Sequence, residues 1–285
     1  MVFYLITYAN KPHEGLDMLK KSAEKFGVKL NVLGMNDPDD VGHGKGGRFG
    51  RKLNAAKMFV ATVDADDIVA FVDGFDVLVT GTESEMVARF LEFGKSVVFS
   101  AENACAPECN TNGFRTSFND LFPGETLRYI NSGTYIGYAG AISSVLDNGD
   151  ASFETGIDDQ TYMQGAFLDN RSDMTLDTRA SIFYVCSIDS LDYEQRIRED
   201  LVVSDGRVNC VSTGSSPLFV HFDGLSKTAM PHYFKQLFGY VMPHEALKRH
   251  TVFIGFIKDN KLWRQGLIVA LVFITLVSLW LIKRR

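Results

Sequence analysis

Short apolar runs alternate with amphipathic stretches over most of this chain of 285 residues. The runs are rich in Val, Ile, Phe and Tyr, which is typical of β-strands. Between them apolar residues recur at helical spacing, and Thr82 to Glu85 form a capping box before a helix. Strands interleaved with helices predict an α/β domain with a largely parallel sheet, whose ligands bind at the carboxyl ends of the strands. The predicted strands are 2–8, 30–34, 68–79, 97–101, 129–138, 182–185 and 218–222.

The C-terminal segment differs in composition from the rest of the chain. Residues 266–282 form 17 consecutive positions without a charge, and three cations follow at 283–285. As a helix this run is roughly 25 Å long, close to the thickness of a hydrocarbon core. The two tryptophans of the chain lie at its ends, where interfacial rings are expected. We therefore predict a domain over 1–242, a linker over 243–265, a transmembrane helix over 266–282 and a basic tail. A buried core helix is the alternative.

The N-terminus and the cysteines bear on the compartment. The first residues, MVFYLI, have neither the cationic segment nor the apolar length of a signal peptide. A C-terminal anchor without a leader predicts a tail-anchored, single-pass membrane protein whose domain lies in the cytosol. Cys105 and Cys109 are near enough in sequence to approach each other, and Cys186 and Cys210 are isolated. No pair has metal-binding spacing, and free thiols are expected in that compartment.

The strand that begins at Ile68 runs directly into two carboxylates, Asp73 and Asp76, with Gly74 between them. At the ligand edge of a sheet, such acids can bind a hard cation such as Mg²⁺ or Mn²⁺ and link it to a diphosphate. Gly74 would let the backbone approach the ligand closely. A plain turn after a strand is the structural alternative, because Asp and Gly are also common turn residues.

Three further sets of polar residues lie within or at the end of later strands, or at the start of a later helix. Asn131 interrupts an apolar strand, which indicates a bulge or a nearby ligand such as a sugar hydroxyl, although a turn asparagine is an equal alternative. Asp158 and Asp159 are suited to acid–base chemistry or to acceptor binding, although acids also cap helices. His221 ends a late strand and offers a third ligand to the cation, although a lone histidine is more often structural.

A glycine-rich segment, GHGKGGRFGRK at 42–52, carries interleaved cations. Its backbone N–H groups and side chains Lys45, Arg48 and Lys52 are suited to phosphate, with a helix beginning near Arg51. It fits neither the P-loop nor the dinucleotide signature, so a mobile surface loop is an equal alternative.

Together, these motifs resemble the glycosyltransferase domain of the procollagen lysyl hydroxylases and, more distantly, the collagen galactosyltransferases. The resemblance extends over roughly residues 1–242. It is carried by FVDGFDVLVTG (71–81), VFSAENACAPE (98–108), RYINSGTYIGYA (128–139), DDQ (158–160) and VHFDG with Lys227 (220–227).

The resemblance implies a GT-A-type, Rossmann-like glycosyltransferase that binds a UDP-sugar and Mn²⁺ and transfers a hexose, glucose or galactose, to a hydroxyl of a glycan or protein acceptor. The residues that match the family's motifs fall into three groups. The metal ligands are Asp73, Asp76 and His221. The nucleotide-sugar residues are Thr7, Phe75, which stacks on uracil, and Gly224 and Lys227, by the diphosphate. The residues needed for transfer are Asp158, Asp159 and the sugar-side Asn131.

One departure and two other functions bear on this expectation. Ala106 stands where collagen-modifying members have tryptophan, which leaves the donor and acceptor preference open. A catalytically inert UDP-sugar or glycan-binding protein and a membrane scaffold are the alternative functions. The net charge of -6 and the lack of an extended cationic stripe disfavour nucleic acid as a partner. The oligomeric state is left open.

Overall fold

A computed structural model of the chain describes residues 1–37, 49–106, 113–147, 158–186 and 193–239. The chain divides after Val241, and all of these residues belong to the unit Met1–Val241. The predicted linker, transmembrane helix and basic tail, 243–285, lie outside the described residues, and so do Lys45 and Arg48. Among the helices within the described ranges, none has the length and apolar character needed to cross a membrane.

Within the described residues the chain forms eleven strands, eight α-helices and two short 3-10 helices, Arg171–Asp173 and Gly224–Thr228. The strands are β1 (Phe3–Tyr8), β2 (Leu30–Leu33), β3 (Ile68–Asp73), β4 (Val77–Val79), β5 (Val97–Glu102), β6 (Tyr129–Tyr138), β7 (Met174–Asp177), β8 (Phe183–Val185), β9 (Leu201–Ser204), β10 (Arg207–Cys210) and β11 (Phe219–His221). The helices are α1 (Glu14–Lys25), α2 (Gly50–Val60), α3 (Glu83–Glu92), α4 (Phe114–Leu121), α5 (Ala139–Leu146), α6 (Asp159–Asp169), α7 (Tyr193–Asp200) and α8 (Met230–Phe238).

The main sheet has six strands in the order β2-β1-β3-β6-β5-β7. Strand β1 is parallel to both β2 and β3, and β7 is parallel to β5. Strand β6 is antiparallel to its neighbours β3 and β5. The predicted α/β class is confirmed, and the sheet is parallel except at β6.

Strand β3 packs helices against both of its faces because its side chains alternate. Val69 and Phe71 belong to a buried cluster with residues of α2, α5 and α6. Ile68, Ala70 and Val72 belong to a second cluster with residues of α1 and α3. An unbroken apolar strand is expected where helices cover both faces of a sheet.

The prediction of one strand over 68–79 is wrong, because the chain leaves the main sheet at Asp73 and enters a second sheet at Val77. The turn between them needs glycine. A Cβ on Gly74 would lie 2.5 Å from the carbonyl oxygen of Tyr8, so no larger side chain fits against β1. The two carboxylates of the D-x-x-D motif therefore lie on either side of a crossing between two sheets.

The second sheet has the order β4-β11-β8. Strand β11 is antiparallel to β4, and His221 pairs with Val77. The backbone N–H of Phe222 donates to the carbonyl of Asp76 over 2.8 Å. These contacts place the end of β11 directly beside the second carboxylate of the motif.

The predicted capping box of α3 is confirmed, since the Thr82 hydroxyl accepts from the N–H of Glu85 and the Glu85 carboxylate accepts from the N–H of Thr82. Glu85 also forms a two-point ion pair with Arg207 of β10. The bonds from Arg207, followed by those from Thr82, lower the pKa of Glu85 to about 2. Glu85 thus joins the start of α3 to β10.

Glu85→Gln is expected to lower the free energy of unfolding by about 1 kcal/mol near neutral pH. Since the folded pKa lies below the usual 4.5, this stabilisation is present above that pH and is lost as the pH falls towards about 2. Urea unfolding at about pH 7 and about pH 2.5 measures it. Glu83→Gln, in the same turn but outside the box, is the matched control. A deficit of the same size at both pH values would contradict the assignment.

The cysteines differ from expectation at one position. Cys186 and Cys210 are buried free thiols, as predicted. Cys105 is disulfide-bonded, so the expectation of a free thiol there is wrong. Cys109 lies outside the described residues. The prediction of a free thiol at Cys105 rests on the expected cytosolic compartment.

Candidate active site and metal centre

A cavity of about 380 Å³ lies where β3 ends, bordered by the start of α6 and the end of β11. Eight of the predicted site residues line it: Asp73, Phe75, Asp76, Asn131, Asp158, Asp159, His221 and Lys227. The structure thus brings together residues that are far apart in sequence. Thr7 and Gly224 are not among the lining residues. The Thr7 hydroxyl is buried and donates to the carbonyl of Val72 over 2.7 Å, so it joins β1 to the neighbouring strand β3.

Asp73, Asp76 and His221 form the group within the described residues that is able to hold a metal ion, with ligand atoms all within 4.8 Å of one another. His221 Nε2 lies 3.6 Å from Asp76 Oδ1 and 3.8 Å from Asp73 Oδ2. Asp76 Oδ1 and His221 Nε2 are buried and have no hydrogen-bond partner in the described part of the chain. Two carboxylates and an imidazole whose ligand atoms face one another, two of them without a hydrogen-bond partner among the described residues, fit a divalent cation.

Each carboxylate of this triad has a lysine on its outer oxygen. Lys52 Nζ lies 2.9 Å from Asp73 Oδ1, and Lys227 Nζ lies 2.8 Å from Asp76 Oδ2. The oxygens that face His221 are the opposite ones, Asp73 Oδ2 and Asp76 Oδ1. The lysines therefore fix how both carboxylates are turned and leave one oxygen of each for a cation.

Burial and these neighbours set the protonation of the triad. Burial would raise the pKa of Asp76, but the ammonium of Lys227 and the imidazole of His221 hold it well below its usual range. Burial would lower the pKa of His221, but the Asp76 carboxylate raises it to about 9. Without a metal, the imidazole thus holds a proton among the carboxylates, and a bound cation would replace that proton.

Gly133 of β6 forms one wall of the triad. A Cβ at this position would lie 2.4 Å from His221 Cε1 and 2.7 Å from Asp73 Oδ2. Both distances are far below van der Waals contact, and the atoms belong to buried or paired side chains. Only a residue without a side chain fits here while the triad keeps its geometry.

Gly133→Ala is expected to raise the Kd for Mn²⁺ by about tenfold or more, because the methyl group must displace two of the three ligands. Titration followed by electron paramagnetic resonance of free Mn²⁺ measures it. Gly165→Ala in α6, where a Cβ meets nothing within 4 Å, is the matched control. It should keep the wild-type affinity and raise helix stability by roughly 1 kcal/mol. Wild-type Mn²⁺ affinity in Gly133→Ala would show that the cation binds elsewhere.

Lys52 links the triad to the start of α6. Its Nζ lies 2.7 Å from Asp159 Oδ2 as well as 2.9 Å from Asp73, and all but 9% of its side chain is buried. Burial would lower the pKa of Lys52, but Asp159 and Asp73 raise it, so the lysine stays charged. The Ser132 hydroxyl also bonds Asp159 Oδ2 over 2.5 Å. Asp159 is thereby held from two sides.

Asp158 has a different environment from its neighbour. It is exposed at the N-cap of α6, where its Oδ1 accepts from the N–H of Thr161 over 2.7 Å. Asp158 thus caps the helix, the structural alternative considered for the acidic pair, and it also lines the cavity.

Phe75 also lines the cavity, and its ring lies next to that of His13, with centroids 4.7 Å apart. Tyr8 is a further aromatic lining residue and donates its hydroxyl to Asp37 over 2.8 Å. Aromatic rings along the cavity suit a flat ring system, as the prediction for Phe75 requires.

Sequence reasoning missed Glu102 and Gln160 as site residues and left Lys52 as an uncertain phosphate ligand. All three line the cavity. For Lys52 a signal existed, because it shares the buried face of α2 with Leu53, Ala56 and Val60. A lysine on an apolar stripe is rarely unpaired. Ala106 also lines the cavity, whereas residues 107 and 108 lie outside the described ranges.

Comparison with known proteins identifies the family. The sequence model of the PLOD GT domain matches residues 2–244, so this chain belongs to the PLOD GT domain family. The resemblance predicted from the motifs is confirmed.

Two relatives illustrate the extent of the match. Procollagen-lysine,2-oxoglutarate 5-dioxygenase of Drosophila melanogaster is 28% identical over 80% of this chain and 31% of its own length. The human multifunctional procollagen lysine hydroxylase and glycosyltransferase LH3 is 29% identical over 78% of this chain and 30% of its own length. The chain thus spans about a third of the length of these relatives.

A solved structure, a glycosyltransferase involved in the glycosylation of the major capsid of PBCV-1, is similar to this chain with a TM-score of 0.43 and 9% sequence identity. The match covers 79% of this chain and 96% of that structure's chain. That likeness is too weak to support a conclusion.

Proposed function

We propose that this chain is a GT-A-type, metal-dependent glycosyltransferase that transfers a hexose, glucose or galactose, from a UDP-sugar to a hydroxyl group of a glycan or protein. The observation that supports this most is the convergence of Asp73 Oδ2, Asp76 Oδ1 and His221 Nε2 in a cavity lined by residues of a PLOD GT domain. Mn²⁺ is the proposed cation, although the ligand set also suits other divalent ions.

The residues around the triad are suited to hold the donor. When bound, a divalent cation supplies Lewis-acid stabilisation of the charge that develops on the departing diphosphate. The side chain of Lys227 is 38% exposed, so its ammonium is able to bind a phosphate oxygen while Asp76 holds it. Phe75, two residues after the end of β3 at Asp73, offers a ring face for the uracil.

On the acceptor side, Asp158 and Asp159 have separate roles in this proposal. Asp159 is held by the buried ammonium of Lys52 and by the Ser132 hydroxyl, which both contact its Oδ2. Asp158 is exposed to the cavity, so it is the better candidate to bind the acceptor hydroxyl and accept its proton. Asp159 then acts as a positioning residue that fixes the start of α6.

A donor screen tests the proposed activity. The full chain is incubated with Mn²⁺ and each of several UDP-sugars, with and without hydroxyl acceptors, and released UDP is measured. Release that depends on Mn²⁺ and is strongest with UDP-glucose or UDP-galactose is expected, and EDTA should abolish it. UDP binding by calorimetry without turnover of any donor would contradict the proposal and favour an inert sugar-nucleotide-binding protein.

We also propose that residues 266–282 anchor the protein in a membrane, with the domain on the cytosolic side. The length of the apolar run and its cationic end support the anchor. The disulfide at Cys105 weighs against the cytosolic side, because disulfides persist mainly in oxidising compartments. A glycosylation tag after Arg285 tests the orientation. Modification of the tag would support a cytosolic domain, and an unmodified tag with a protease-protected domain would reverse the orientation.

A further inference from the structure

Asn131 lies between the proposed metal ligand His221 and the buried carboxylate of Glu102. Its Oδ1 is 3.1 Å from His221 Nδ1, and its Nδ2 donates to Glu102 Oε1 over 3.2 Å. Asn131 is 4% exposed and Glu102 is also 4% exposed. The amide therefore bridges two buried groups behind the triad.

The orientation of this amide is fixed by groups whose hydrogen-bonding role cannot change. The backbone N–H of Gly133 can only donate, and it donates to Asn131 Oδ1 over 3.0 Å. A carboxylate can only accept, so Glu102 requires the NH₂ group on its own side. Rotating the amide by 180° would set donor against donor at Gly133 and acceptor against acceptor at Glu102.

The fixed amide in turn determines the state of His221. Because Asn131 presents an oxygen to Nδ1, that nitrogen must carry a hydrogen. The lone pair of a neutral imidazole then lies on Nε2, which is 3.6 Å from Asp76 Oδ1 and 3.8 Å from Asp73 Oδ2. This is the nitrogen that has no hydrogen-bond partner within the described residues.

We propose that Asn131 and Glu102 are positioning residues that hold His221 in the Nδ1–H tautomer and so direct Nε2 at the cation. This inference rests on the metal site of the proposed function. It gives Asn131 a role behind the metal ligand rather than the direct sugar contact predicted from the sequence. Partners that orient a metal-binding histidine in this way typically change metal affinity by about ten- to hundredfold when they are removed.

Gln160 secures the far end of this chain of hydrogen bonds. Its Nε2 donates to Glu102 Oε1 over 3.1 Å, and its Oε1 accepts from the N–H of Ser132 over 2.6 Å. Gln160 is the second residue of α6. The orientation of His221 is thus linked to the helix start that carries Asp158 and Asp159.

Mn²⁺ affinity of the full-length protein, measured by electron paramagnetic resonance, tests the roles of both residues. Asn131→Leu and Glu102→Leu are expected to raise the Kd by about ten- to hundredfold. Glu102→Gln keeps an oxygen for Asn131 and should stay within about threefold of wild type. Asn31→Leu on the edge strand β2 removes an asparagine that donates to the Leu5 carbonyl and does not line the cavity, and this variant should bind Mn²⁺ normally. Wild-type affinity in Asn131→Leu would overturn the proposal.

The tautomer itself can be observed in the wild-type protein without any metal. This second test therefore does not depend on whether the variants fold. Spectra of ¹⁵N-histidine-labelled wild-type protein are recorded at increasing pH until the His221 signals no longer change, so that the imidazole is neutral. Long-range ¹H–¹⁵N correlation should show the proton on Nδ1, and a proton on Nε2 would overturn the proposal. If the wild type binds no Mn²⁺, the proposed metal site fails, whereas the NMR result still decides whether His221 holds its proton on Nδ1, beside Asn131 Oδ1.

Discussion

Asp76→Asn is expected to lower kcat/KM for hexose transfer by about two orders of magnitude or more, a loss of roughly 3 kcal/mol in transition-state stabilisation. The reason lies in how the new amide must turn. Lys227 is a cation and only donates, so it will bind the amide oxygen in place of Asp76 Oδ2. The NH₂ group then occupies the position of Oδ1, facing the proposed metal, where it cannot act as a ligand. Turnover with a UDP-hexose and Mn²⁺ measures the effect.

The same substitution should also weaken Mn²⁺ binding, which separates loss of the metal from loss of the fold. Asp169→Asn, at the exposed C-terminal end of α6, makes the identical chemical change away from the cavity. It should leave turnover, Mn²⁺ affinity and thermal stability near the wild-type values. If Asp76→Asn folds and retains full activity, Asp76 is not a ligand of an essential metal.

Lys52→Met is expected to lower the free energy of unfolding by about 3–5 kcal/mol, and Tm by roughly 6–20 °C. Methionine fills most of the space of the lysine stem but leaves Asp159, whose side chain is 8% exposed, without its buried counter-charge. Asp73 loses the same partner, although its greater exposure of 26% allows partial compensation by water. Urea and thermal unfolding measure the loss.

Lys57→Met on the same helix is the matched control. Lys57 pairs with Asp147, but the two side chains are 40% and 54% exposed. Exposed ion pairs contribute little to stability, so this variant should unfold close to the wild type. Equal stability of Lys52→Met and Lys57→Met would show that the buried pair is not needed to hold Asp73 and Asp159.

A large part of the fold could be predicted from local patterns in the sequence. The capping box at Thr82 and the apolar run ending at Asp73 depend only on neighbouring residues, so they were predictable. The motifs around Asn131, Asp158 and His221 were predictable as site candidates, because polar residues at strand ends and helix starts meet at one edge of a sheet. The cavity lining shows these residues together.

Features that depend on distant partners were not predictable. The apolar run 68–79 looks continuous, and only the pairing of β4 with β11 separates it into two strands. The antiparallel direction of β6 likewise depends on its position between β3 and β5. Lys52 could be placed on the buried face of a helix from the sequence. Its pairing with Asp73 and Asp159 could not be predicted, because it depends on how α2 packs against the sheet.

The position of Mn²⁺ in crystals of the protein grown with UDP and MnCl₂ tests the central claim most directly. Anomalous difference density at a wavelength near the manganese edge should show one strong peak bounded by Asp73 Oδ2, Asp76 Oδ1 and His221 Nε2, with the diphosphate next to it. A manganese peak elsewhere, or bound UDP with no metal at this triad, would contradict the assignment.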